Sequence, residues 1–133
     1  MATPETAAPA GAVRVLIVDD EDDIRALLRV VLSDGSGSYA VVGEAVNGRE
    51  AVERWRAHRP DVVLLDQRMP GLTGLEAAEK ILGEAPDQQI ILFTAFLTDA
   101  MKARANELGV AACVAKEDVF SVPDVIGSLF SSD

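Results

Sequence analysis

The sequence holds a single cysteine, one tryptophan, one tyrosine and one histidine in 133 residues, and aromatics make up only 5 %. A lone Cys113 excludes an internal disulfide and a cysteine-based zinc site. Basic residues are also scarce: 12 Lys and Arg stand against 22 Asp and Glu, a formal net charge of -10. So acidic a chain repels phosphate backbones, which argues against direct nucleic acid binding. No apolar stretch approaches the roughly 20 residues that span a bilayer. The opening MATPETAAPAGA has no basic residue and no apolar core, so it does not read as a secretory signal. Residues 1–12 are expected to form a flexible tail. What remains is one globular domain over 13–131, with 49 % hydrophobic residues to build a core. A soluble cytoplasmic protein is the expectation.

Five apolar runs are present, at 12–18, 39–46, 61–66, 89–95 and 110–115. Most are near-continuous in Val, Ile, Leu and Ala, as expected of parallel strands buried on both faces. The second run is the least uniform and suits a sheet edge. Between the runs, apolar residues recur at helical spacing. Ile24, Leu27, Leu28, Val31 and Leu32 mark a first helix, and Ala51, Val52 and Trp55 a second that stops at Pro60. Leu75, Ala78 and Leu82 mark a third, and Leu97, Met101, Ala105 and Leu108 a fourth, stopped at Gly109. Val122, Val125, Ile126, Leu129 and Phe130 mark a fifth, with Pro123 in its first turn. Alternation of this kind predicts an α/β fold, a doubly wound (βα)₅ parallel sheet of strand order 2-1-3-4-5.

Polar residues collect at the C-terminal strand ends: Asp19 and Asp20 after strand 1, Asp66 after strand 3, Thr94 on strand 4, Lys116 after strand 5. In open α/β sheets that edge binds ligands where strand order reverses. Strands 1 and 3 are neighbours there, so Asp19, Asp20 and Asp66 converge. Clustered carboxylates repel unless a cation or proton intervenes. Without His or Cys beside them, their oxygens favour Mg²⁺ or Mn²⁺. Lys116 and Thr94 add a positive charge and a neutral donor for a phosphoryl group. The set suggests cation-assisted phosphoryl transfer with an Asp nucleophile. Asp22 and Asp23 read as first-turn acids of helix 1, and Glu21 has no assigned role.

The segments VDDE, DQRMPGLTG, FTA and CVAKED, taken in order, resemble the receiver domain of two-component response regulators over about residues 13–131. The resemblance implies a flavodoxin-like receiver fold and a phospho-accepting Asp66. It implies Mg²⁺ (or Mn²⁺) held by Asp20, Asp19, Asp66 and the backbone carbonyl of Arg68. Thr94 matches the switch threonine and Lys116 the phosphoryl-binding lysine, while Arg68 and Phe96 match positions that tune phosphoryl lifetime. The implied partner is a histidine kinase or histidine phosphotransfer protein, with an unknown output partner and a homodimer left open. No enzyme activity is implied beyond Mg²⁺-dependent self-phosphorylation and slow autodephosphorylation.

Receivers usually carry Tyr, Phe or His three residues before the lysine, where this chain has Cys113. That departure keeps alive a receiver-like binding module that works without phosphorylation. A third reading, a haloacid-dehalogenase-type phosphatase, needs a second acid near the nucleophile, where Gln67 and Arg68 stand. Trp55 is expected in the core and His58 in solvent. Phe96 and Phe120 are candidate partner anchors, although half-buried packing is the commoner fate of such side chains. The 17 residues after Lys116 suffice for one helix and no effector domain, so a stand-alone receiver and one cut from a longer regulator fit equally.

Overall fold

The computed structural model describes residues 11–130; residues 1–10 and 131–133, including most of the expected tail, lie outside the described part. Five strands form one parallel sheet in the order β2-β1-β3-β4-β5. They are β1 (Val13–Val18), β2 (Tyr39–Ala45), β3 (Val62–Leu65), β4 (Gln89–Thr94) and β5 (Ala112–Ala115). The helices are α1 (Asp22–Leu32), α2 (Gly48–His58), α3 (Gly74–Glu84), α4 (Asp99–Leu108) and α5 (Val122–Phe130). Fold and strand order are those expected, with β2 at an edge.

Strand periodicity splits the core in two. Leu16, Val18, Val63 and Leu65 point to one face, where Trp55, Ala78 and Ile81 cover them from α2 and α3. Val15, Ile17, Leu64 and Phe93 point to the other, beneath Leu28 of α1 and Ile126 of α5. Each fully buried Leu, Ile or Phe contributes roughly 1.5–3 kcal/mol, so the central strands carry much of the stability. Trp55 lies in the core as expected, its indole N–H donating to Gln88 Oε1 at 2.8 Å.

Four sequence-based expectations change. Helix α4 starts at Asp99 rather than at Leu97, because the Thr98 side chain accepts from the Met101 N–H and caps it. The last strand starts at Ala112 rather than Val110, whose N–H turns back to the Ala105 carbonyl at 2.9 Å and closes α4. A 3₁₀ segment, Lys116–Ser121, which the periodicity did not foresee, links β5 to α5. His58 is half-buried rather than solvated, with its ring packed against the strand at Gly43.

Candidate functional site

The ladder runs past the strands into the acids. The Asp19 N–H donates to the Ala45 carbonyl, and the Asp66 N–H to the Val18 carbonyl, each at 3.0 Å. Both carboxyl-bearing residues are therefore fixed by backbone bonds of β1, β2 and β3. Asp19 is 1 % exposed and Asp66 3 %, while Asp20 sits at the rim. One oxygen from each of Asp19, Asp20 and Asp66 lies within 4.8 Å of the others.

Lys116 enters from β5 and meets both buried acids. Its Nζ is 2.8 Å from Asp19 Oδ2 and 3.4 Å from Asp66 Oδ2, with Glu21 Oε1 farther out at 3.8 Å. Burial opposes the ammonium's charge, but contact with Asp19 and the attraction of Asp66 outweigh it and raise the Lys116 pKa. The amine stays protonated. Burial, and then repulsion from Asp19, raises the Asp66 pKa against the pull of Lys116 and Thr94. Two buried carboxylates thus share one ammonium. Asp19 Oδ2, though at ion-pair distance from Lys116, has no aligned hydrogen-bond donor. A buried, acceptor-only oxygen in an all-oxygen set suits a hard divalent cation.

Thr94, 1 % exposed at the end of β4, lies in the same pocket. Arg68 and Phe96, two residues beyond Asp66 and Thr94 respectively and both exposed, stack on one another, the guanidinium 5.1 Å from the ring centroid. Phe96 is 64 % exposed and Phe120 78 %, so neither takes the half-buried position commoner for such residues. Cys113 is half-buried on β5, and burial raises its thiol pKa, which disfavours a reactive thiolate. A cavity of about 400 Å³ lies beside it, lined in part by Leu97, Lys102 and Val125. Asp22 and Asp23 occupy the first turn of α1, as expected.

Two supporting features escaped sequence reasoning. The first is Arg25, which donates to the Asp19 carbonyl. The second is the Thr73 capping box, in which the Thr73 hydroxyl accepts from the Glu76 N–H and Glu76 returns the bond to the Thr73 N–H. This box anchors α3 behind Asp66 and is written in the sequence as Thr73-Gly74-Leu75-Glu76.

Residues 15–121 match the family model of the response regulator receiver domain. The chain belongs to that family. Among curated relatives of this receiver domain, the response regulator GacA of Pseudomonas viridiflava is 39 % identical over 104 residues. That match covers 78 % of this chain and 48 % of GacA, so the receiver domain spans about half the length of that relative. The chemotaxis protein CheY of Thermotoga maritima is 40 % identical over 96 residues, 72 % of this chain and 78 % of CheY. A crystal structure of a LuxR-family two-component response regulator from Aurantimonas sp. SI85-9A1 superposes with TM-score 0.84 at 31 % identity, covering 89 % of this chain and 84 % of that one. Receiver domains are phosphoacceptors rather than ordinary enzymes. Among the described residues no helix is long and apolar enough to cross a membrane.

Proposed function

We propose that residues 13–131 act as one cytoplasmic receiver unit that takes a phosphoryl group from phosphohistidine onto Asp66. The donor is a histidine kinase or a histidine phosphotransfer protein. The observation that carries this reading is the sharing of Lys116 by two buried carboxylates, Asp19 and Asp66, at the switch point of the sheet. Asp66, near-fully buried at a rigid strand end, offers one oxygen in line to phosphorus. A P–O bond forms, the P–N bond breaks, and the imidazole leaves with the electron pair and takes a proton from solvent.

Asp19, Asp20, Asp66 and the Arg68 carbonyl would hold Mg²⁺, with Mn²⁺ as a substitute. When bound, the ion supplies positive charge toward the phosphoryl oxygens. Lys116 neutralises a second oxygen, and the Thr94 hydroxyl donates to a third. Movement of Thr94 toward that oxygen biases the β4–α4 side between two arrangements and changes contacts with an output protein. Slow attack by water returns Asp66 to its carboxylate, with the Arg68–Phe96 stack restricting the water's approach.

A small phosphodonor such as acetyl phosphate, added with Mg²⁺, is expected to give one phosphoryl gain in intact-mass measurement. Asp66→Asn, or chelation by EDTA, should abolish it. Mg²⁺ binding without any gain would favour a module that works unphosphorylated, a reading motivated by the small Cys113 where an aromatic usually rotates. Turnover of phosphate esters would instead favour hydrolase chemistry.

A further inference from the structure

Arg25 is 13 % exposed and engages three different segments. Its Nη1 donates to the Asp19 carbonyl at 2.8 Å and its Nε to Glu44 Oε1 at 2.7 Å, while Nη2 pairs with Asp22 Oδ1. One guanidinium therefore ties the end of β1 to the first turn of α1 and to edge strand β2. Glu44 is held in turn by Arg29. The carbonyl that Arg25 grips belongs to the peptide joining Asp19 to Asp20. Fixing that peptide aims two of the three clustered carboxylates.

A β-bulge makes the arrangement possible. Along β1 and β2 the register runs Val15 to Val41 and then jumps to Leu16 opposite Gly43. One extra residue, Val42, enters the edge strand and reverses the facing of everything after it. Glu44 thereby pairs with Ile17 and shares its face, the one covered by α1. In an unbulged register Glu44 would point to the α2 side, away from Arg25.

We propose that Arg25 is a positioning residue for the divalent-cation site, acting through the Asp19–Asp20 peptide and itself oriented by Glu44. The inference rests on the reading that Asp19, Asp20 and Asp66 bind Mg²⁺. Its sign separates it from simple electrostatics. A guanidinium near the site repels a cation, so by Coulomb's law alone its removal would tighten binding. Positioning predicts the opposite. Lysine keeps the charge but lacks the planar fork that reaches three acceptors, so Arg25→Lys isolates the geometric contribution.

The test is calorimetric titration of the full chain with Mg²⁺, alongside thermal melts. Arg25→Lys is expected to weaken Mg²⁺ binding about tenfold, as loss of a residue supporting metal ligands does. Arg25→Gln removes the charge and should also weaken binding, where Coulomb's law alone predicts tightening, so it carries the test if Arg25→Lys does not fold. Arg56→Gln, which breaks the exposed Arg56–Glu84 pair between α2 and α3 and touches none of these residues, should leave Mg²⁺ affinity within about twofold. Wild-type Mg²⁺ affinity retained or improved in Arg25→Lys, or in Arg25→Gln as its substitute, overturns the positioning role. A wild-type chain that binds no Mg²⁺ removes the metal site itself, a separate and distinguishable result.

Discussion

Replacing Lys116 with methionine is expected to lower stability by about 3 kcal/mol in Mg²⁺-free buffer and to slow phosphorylation of Asp66 about a hundredfold or more. The stability loss follows from burial. Lys116 lies between Asp19 at 1 % and Asp66 at 3 % side-chain exposure. Removing the ammonium leaves two buried carboxylates facing each other with no countercharge, the costly case for a broken buried ion pair. Three further consequences identify the cause. Mg²⁺ should restore more stability to the variant than to the wild type, because it supplies the missing positive charge. The loss should shrink as pH falls through the raised Asp66 pKa, since a protonated Asp66 needs no partner. The rate loss should persist in saturating Mg²⁺, because in the proposed transfer Lys116 neutralises a phosphoryl oxygen of its own. Urea unfolding with and without Mg²⁺, paired with phosphorylation time courses by mass, checks all three.

The second large effect is expected at Gly74. A Cβ there would overlap the Asp66 carbonyl oxygen and lie 2.8 Å from its carbon and 2.9 Å from Gln67 Cα. All three are backbone atoms next to the acceptor, so no flexible side chain can yield. Helix propensity opposes the clash: Ala in place of Gly in α3 gains about 1 kcal/mol at most. Overpacking against rigid backbone costs about 1–3 kcal/mol or more, and it wins. Gly74→Ala should therefore destabilise the domain and, by displacing Asp66, reduce phosphorylation by up to about a hundredfold. Gly83, in the same helix with open space around its would-be Cβ, is the control. Gly83→Ala should stabilise by about 0.5–1 kcal/mol and leave phosphorylation unchanged. Chemical denaturation of both variants, with phosphorylation rates beside it, separates propensity from clash.

The residues that announce themselves in the sequence are those whose role follows from local pattern. Apolar runs such as Val62–Leu65 are buried on both faces, so they read as central strands without further information. Right-handed crossovers then bring the ends of β1 and β3 together, and with them Asp19, Asp20 and Asp66. Lys116 and Thr94 are legible because each ends an apolar strand. Arg25 is not, because its use depends on a one-residue bulge in β2 that no periodicity reveals. Gly74 is equally silent, since only the close approach of α3 to the Asp66 backbone demands it. His58 looks solvated among arginines until the absent side chain of Gly43 makes room for its ring. The capping box at Thr73 and Glu76 was the signal within reach, a short polar spacing with a known mechanical meaning.

In the proposed transfer the Asp66 carboxylate itself accepts the phosphoryl group. Borohydride trapping addresses that most directly, because it reduces an acyl phosphate to the alcohol and leaves free carboxylates alone. After treatment with acetyl phosphate and Mg²⁺, reduction and peptide mapping should find homoserine at position 66 and nowhere else. Unmodified Asp66 in a chain that has gained a phosphoryl group, or homoserine at Asp19 or Asp20, would contradict it.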